Sequence, residues 1–323
     1  MSLQKMLPIL AVLSTFFLGT SHADVKYPTK PVTIVVPQTA AGATDFLARL
    51  MAEKLSAKWG QPVVVDNKPG GGGIIGLQSV AKSPQDGYTL LMSSDGPQAI
   101  NVSMYKNLPY DPVADFTPIA TIATVSFLLV VRADHPTKDF KEFLAQAKKT
   151  PGIQFGSAGV GSLNHLIGEM INIETSAKMQ HIPYKGAAPA LSDLLGGHVP
   201  IIVASVPSVA KQIDSGSLRA LVVSSNKRSA RLPNVPAVSE FGFVDFGVSP
   251  WVGLLAPGNL NPQILAKISK DVNEILTQPD VKAKIADLGM EILQKNPKEF
   301  SALLKADIEK WGKVAKHAGI QPQ

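Results

Sequence analysis

The sequence predicts an α/β protein built as two lobes, each a mainly parallel sheet flanked by helices. Three observations carry this. Short β-branched runs alternate with amphipathic helical stretches, the alternation restarts partway along the chain, and the length of 323 residues suits two cores.

Taken in order, the first segment addresses the compartment. Lys5 supplies a positive charge, residues 6–20 carry none, and Ser21-His22-Ala23 offers the small side chains a signal peptidase reads. A membrane anchor needs about 20 apolar residues, and this run is shorter and contains Pro8. Residues 1–23 are therefore expected to be a signal peptide removed on export, with the mature chain starting at Asp24. Val32 to Val36, between prolines, reads as a buried strand. Leu47, Leu50, Met51 and Leu55 then share one helical face, with Thr44 or Asp45 as the cap. Val63 to Val65 is a strand, Ile74 to Ala81 a helix, and Tyr88 to Met92 a third strand after the turn at Asp86-Gly87. Strand, helix, strand, helix implies parallel pairing.

The pattern restarts with the apolar strand Phe127 to Val131. A helix over Phe140 to Lys148, a strand over Ile153 to Gly156 and a helix over Ser162 to Glu174 follow. Strands at His181 to Tyr184, Val199 to Ala204 and Leu218 to Ser224 alternate with helices at Pro189 to Leu195 and Pro207 to Ile213. After a loop-like stretch from Leu232 to Pro250 come a strand from Trp251 to Leu255 and helices at Pro262 to Leu276, Val281 to Leu288 and Pro297 to His317.

Composition narrows the chemistry. With 0 cysteines there is no disulfide, thiolate metal site or cysteine nucleophile. Removing Lys5 with the signal leaves 30 basic and 25 acidic residues, a mild +5. The basic residues are scattered and no aromatics are interleaved with Lys148-Lys149 or Lys227-Arg228, so nucleic acid is not an expected partner. Gly71-x-Gly73-x-x-Gly76 with Asp95 beyond it resembles a dinucleotide fingerprint, but a run of four glycines after Lys68-Pro69 makes a looser turn that lets helix and strand approach closely. Ser79-x-x-Lys82 matches a hydrolase pair without the rest of a catalytic constellation. His165 and Glu169 stand one helical turn apart, but no third ligand follows at a recognised spacing, so no metal is expected.

Two loops are more informative. Pro37 to Asp45 joins the first strand to the first helix through small residues that expose backbone N–H groups at a helix start. Gly156 to Ser162 does the same in the second unit, adding two hydroxyls, with Ser162 as the N-cap. Both lie at carboxyl ends of strands, where open α/β sheets bind ligands.

The ordered motifs then show a resemblance. Val35-Val36-Pro37 through Gly42-Ala43-Thr44-Asp45, Val64-Val65-Asp66-Asn67-Lys68-Pro69-Gly70, Pro84-x-Asp86-Gly87-Tyr88-Thr89-Leu90 and Ile182-Pro183-Tyr184-Lys185-Gly186 resemble the Bug-type, TctC receptors of tripartite tricarboxylate transport. So do Leu194-Leu195-Gly196-Gly197 and Arg231-Leu232-Pro233-Asn234-Val235-Pro236, and the likeness covers nearly the whole mature chain. It implies a type II periplasmic binding fold, a Venus flytrap, with residues 24–124 and 247–323 as lobe one and 125–246 as lobe two. It implies a monomeric receptor without cofactor or catalysis that closes on a small carboxylate and hands it to membrane transporter subunits. A ligand-presenting sensor of the same fold and, further off, a hydrolase are the alternatives.

The resemblance also implies a set of ligand contacts. Lobe one would supply Gln38, Thr39, Ala40, Ala41, Gly42 and Ala43, with Asp45 capping and positioning water, and Ser94 beyond the third strand. Lobe two would supply Ser157, Ala158, Gly159, Ser162 and His165, with Tyr184, Lys185, Gly186, Ala187 and Ser205 completing the wall. The chain departs from the family at Gln38 and Thr39, where an aromatic residue and proline are usual, so a more polar ligand end is expected there. Ala204 stands where an acid is common, which points away from amino acids.

Overall fold

The computed structural model describes residues 26–40, 42–243, 248 and 250–322. The predicted signal peptide, Ala41 and the expected lobe boundary at 246 and 247 lie outside the described residues. The chain runs β1 (Val32–Val36), α1 (Ala43–Trp59), β2 (Val63–Asn67), α2 (Ile74–Ala81), β3 (Thr89–Ser94), α3 (Asn101–Met104) and β4 (Phe116–Val125). It continues through β5 (Phe127–Arg132), α4 (Phe140–Lys149), β6 (Gln154–Ser157), α5 (Leu163–Thr175), β7 (Gln180–Pro183), α6 (Ala187–Gly196), β8 (Ile201–Ser205), α7 (Val206–Asp214) and β9 (Leu218–Val223). The last elements are β10 (Trp251–Pro257), α8 (Pro262–Leu276), α9 (Pro279–Asp287), β11 (Met290–Ile292) and α10 (Pro297–His317).

Among the described residues these strands form a six-stranded sheet, β11-β4-β10-β3-β1-β2, and a five-stranded sheet, β7-β6-β8-β5-β9. The mainly parallel sheets expected from sequence are in fact mixed. β1 pairs in parallel with β2 and β3, and β6 with β7 and β8, as strand-helix alternation requires. β10 is antiparallel to β3 and β4, and β5 to β8 and β9. The physical reason is the crossing of the chain. It leaves the first sheet at Val125 and enters the second at Phe127, then returns along β10, so the returning strand lies against the departing one with opposite sense.

Strands β4 and β11 and the tight helical turns from Gly96 to Met104 were not predicted. Pro118 within β4 argues against a central strand on sequence grounds. The sheet accommodates it opposite Leu255, beside an irregular register between Leu254 and Leu255.

Alternating side chains sort into cores. Along β8, Ile201 and Val203 join a cluster that runs from Val35 and Leu91 through Trp251 and Phe300 to Phe155 and Leu166. The apolar core is therefore continuous from one sheet to the other. Ile202 and Ala204 face the opposite cluster with Leu128, Leu194 and Val209. Burying a large apolar side chain contributes about 1.5–3 kcal/mol, and Trp251, Phe155 and Phe300 are each almost fully enclosed. The glycine turn after β2 serves close approach, since a Cβ on Gly76 would meet Pro37 Cα at 2.8 Å and the Lys68 carbonyl oxygen at 2.9 Å. No helix of the described residues is long and apolar enough to cross a membrane.

Candidate functional site

α1 begins without a side-chain cap. Gly42 occupies the cap position, and the first intrahelical bond is Phe46 N–H to the Gly42 carbonyl at 2.9 Å. The N–H groups of Ala43 and Thr44 thus precede any helical carbonyl they could reach, and the positive end of a helix of 17 residues is left uncovered by a cap. Asp45 is not the cap expected from sequence. It lies inside the first turn, buried, and accepts from Arg49 Nε at 3.0 Å and Asn67 Nδ2 at 2.9 Å. Arg49 also donates to Asn67 Oδ1 at 3.1 Å, and Asn67 Nδ2 reaches the Gln38 carbonyl at 3.3 Å. This network ties the loop to β2, and Arg49 balances the carboxylate, so Asp45 does not cancel the helix end.

Gln38 leaves the end of β1 and donates from Nε2 to Ser94 Oγ at 3.3 Å, at the end of β3. Thr39 and Ala40 are exposed beside it. A cavity of about 520 Å³ opens at the start of α1, bounded by Gly42, Ala43 and Asp45, and across from them by Pro207 at the start of α7 and by Leu288 and Met290.

In the second loop the hydroxyls build the loop itself. Ser162 Oγ caps α5 by accepting from His165 N–H at 3.3 Å and donates to the Gly159 carbonyl at 2.7 Å. Ser157 Oγ accepts from Gly159 N–H at 3.0 Å and lies 2.6 Å from His181 Nε2. Cap geometry leaves the N–H groups of Leu163 and Asn164 at the helix start ahead of any helical carbonyl. Gly159 and Gly161 hold φ of 120° and 77°, a backbone glycine adopts without strain.

His165 and His181 stack with centroids 3.6 Å apart and planes 16° from parallel, with Phe155 5.2 Å from the His181 ring. Gly161 N–H donates to His165 Nδ1 at 3.2 Å, which places the proton of the neutral ring on Nε2, facing Glu169 Oε1 at 3.8 Å. Burial pushes both imidazoles down to about 4, the neighbouring ring adding to the shift at His165. Burial raises the Glu169 carboxyl. Among the described residues no three His, Cys, Asp or Glu side chains converge as a metal site. His181 was assigned no site role from the sequence, because its partner Ser157 is 24 residues away and only the β6–β7 pairing joins them.

Of the remaining candidates, Tyr184 N–H holds the Ser157 carbonyl at 3.2 Å and its hydroxyl donates to Asp193 Oδ2 at 2.9 Å. Gly186 caps α6 with φ 138°, Ala187 begins that helix, and Lys185 is exposed. Ser205 caps α7 with no side-chain cap bond, its Oγ 3.2 Å from Ser208 Oγ. Ala158 is half-buried between Ser157 and Gly159. Ala204 packs in the cluster with Leu128 and Leu194, so its identity says nothing about a ligand's ammonium group.

The second loop faces the first sheet's elements. A Cβ on Gly161 would lie 2.4 Å from Met104 Sδ, and a cavity of about 570 Å³ is bounded by Asn101, Met104 and Tyr105 on one side and Ser162, His165 and Glu169 on the other. At the far flank a Cβ on Gly289 would lie 3.1 Å from Val206 Cγ1. The described loops thus line two separate cavities, both between the lobes. Asp95 is fully buried with Oδ2 lacking a partner, so it is not available to a ribose.

Residues 47–320 match the family described as "Tripartite tricarboxylate transporter family receptor". Protein BugT of Bordetella pertussis is 34% identical over 324 residues, covering 99% of this chain and 99% of that protein. The structure of R. palustris Rpa4515 with adipate superposes with a TM-score of 0.78 at 35% identity, covering 92% of this chain and 100% of that one. MatC of Rhodopseudomonas palustris with bound malate superposes with a TM-score of 0.73 at 30% identity, covering 89% and 99%.

Proposed function

The chain belongs to the tripartite tricarboxylate transporter receptor family, and from that premise we propose that it captures a small organic carboxylate between its lobes in the periplasm and delivers it to transporter membrane subunits. The observation that carries this reading is the start of α1, where Gly42 and Ala43 border a cavity between the lobes and the cap position, held by Gly42, supplies no side-chain cap bond. An uncapped helix N-terminus stabilises an anion through both its N–H donors and its partial positive charge. The second loop ends at another helix start, that of α5, which differs in being capped by Ser162, and the adipate and malate held by the two relatives fit an anion site at a helix start.

Binding proceeds by closure. Residues 24–124 with 247–323 form one lobe and 125–246 the other, and a carboxylate bridging them raises the closed population by its differential affinity for that state. The signal segment is removed on export, the receptor acts as a monomer, and it turns nothing over. Thermal-shift measurements on the mature chain from Asp24 against a panel of organic acids test the reading. A cognate acid at a hundred times its Kd adds about 2.7 kcal/mol of stability. Melting curves indifferent to every acid in the panel would contradict it.

A further inference from the structure

The cavity of about 570 Å³ beside α3 carries a charge unlike that of the α1 start. Among its lining residues Glu169 alone holds a formal charge at neutral pH, since burial keeps His165 and His181 uncharged. The Glu169 side chain is only 13% exposed. Its Oε2 accepts from Asn172 Nδ2 at 3.2 Å, whereas His165 Nε2, at 3.8 Å from Oε1, is too far for a hydrogen bond. His317, exposed on the last turn of α10, acts on the carboxylate through its field alone. Nor does the positive start of α5 offset the charge. Ser162 caps that turn, and Glu169 stands seven residues further on, about 10 Å along the axis, where the end effect has faded. The same cavity presents apolar side chains that the fold leaves uncovered. Val160 is 61% exposed in the second loop, and Met104 and Ile320 are partly buried.

We propose that this cavity is a second ligand site, for a small organic ammonium whose charged head pairs with Glu169 Oε1 and whose apolar body lies against Met104, Val160 and Ile320. The site is additional to the carboxylate site and does not depend on it. A half-desolvated carboxylate with one oxygen unserved gains most from a cationic donor, because a charge-assisted hydrogen bond is about twice as strong as a neutral one. An alcohol of the same shape makes the apolar contacts and only the weaker bond. A carboxylate is refused, since the one formal charge in the cavity has its own sign. A bare metal ion is not served either. His165 Nδ1 accepts from Gly161 N–H, so its Nε2 keeps the proton and has no lone pair to offer. The two cavities between the lobes thus differ in the charge they favour, an anion beside Gly42 and Ala43 and a cation beside Glu169.

Isothermal titration of the mature chain at neutral pH with hexylamine, 2-phenylethylamine and 1,4-diaminobutane tests this, each amine set against the alcohol of the same skeleton. At least one amine binds about tenfold or more tighter than its alcohol, the ratio a hydrogen bond to a charged group supplies. Glu169→Gln keeps an acceptor for Asn172 and brings that ratio to within about twofold of unity. Val160→Lys alters an exposed loop side chain, so folding is not at issue, and its tethered ammonium weakens the amine about fivefold or more by repulsion and by competition for Glu169. Amines that bind no tighter than their alcohols, a preference that survives Glu169→Gln, or an amine affinity untouched by Val160→Lys would each overturn the site. Thermal shifts with the organic acids are read on the same protein, so the amine site can fail while carboxylate capture stands, and the reverse.

Discussion

At the scale of single residues, the unusual groups are those whose charge the fold suppresses. His165 and His181 titrate at about 4 in the folded chain, against about 6.5 when unfolded. Between those values the unfolded chain takes up protons that the stacked pair refuses, so their contribution to stability is present above pH 6.5 and lost as pH falls toward 4. The raised carboxyls of Asp95, Glu169 and Asp307 act in the opposite sense, so a difference between variants isolates the imidazoles. His181→Gln retains a hydrogen-bond partner for Ser157 but does not titrate. Its melting temperature should lie below wild type at pH 7.5, with the gap narrowing by pH 4.5.

Asp95 makes the complementary case. Burial, reinforced by the charge on Asp307, raises its carboxyl well above the usual range, and Oδ2 has no partner. The folded chain keeps a proton that the unfolded chain releases above about pH 4, so stability is lost as pH rises toward the folded pKa. Asp95→Asn removes that loss and should raise stability at pH 7.5 by about 1 kcal/mol or more, and by less at pH 4. Urea melts at both pH values check the sign.

At the scale of elements, helix placement depends on close contacts that a single methyl disturbs. A Cβ on Gly168 would sit 2.1 Å from Phe155 Cε2, inside the packing of α5 on β6. Alanine gains about 1 kcal/mol of helix propensity over glycine, but overpacking of a rigid core costs about 1–3 kcal/mol. Gly168→Ala should therefore be destabilised in denaturant titrations, because Phe155 is fully buried and flanked by His181. Elements with strong local signals were legible in sequence to the residue. α8 and α10 start at prolines behind Asn261 and Asn296, whose side chains cap the first turn, and Glu299 completes the capping box of α10. β4 was hidden by Pro118 and β11 by its length of 3 residues, since both exist through pairing with distant strands. Likewise the cap on α5 was readable from Ser162, whereas the role of Asp45 was not. A carboxylate near a helix start reads as a cap until Arg49 and Asn67 are placed beside it.

At the scale of the whole molecule, the two lobes meet where the second loop touches α3. Gly161→Ala would push a methyl to 2.4 Å from Met104 Sδ and strain a residue at φ 77°. It should hinder closure and weaken the response to a cognate acid, and Met104→Ala in the same chain should restore part of it. Small-angle scattering with and without the acid reads the change in compactness. Two-lobed organisation was legible because the strand-helix pattern restarts. The mixed character of the sheets was not, because it arises from strands that cross between lobes and leave no mark on local periodicity.

The most direct test of the account is a titration of ¹⁵N-labelled mature protein with an acid that raises its melting temperature, followed by amide chemical shifts. The N–H signals of Ala43 and Thr44 should move together with those of Leu163 and Asn164, on curves with a single Kd, as one binding event draws both lobes together. Saturation of one group while the other stays still would contradict a ligand held between the lobes.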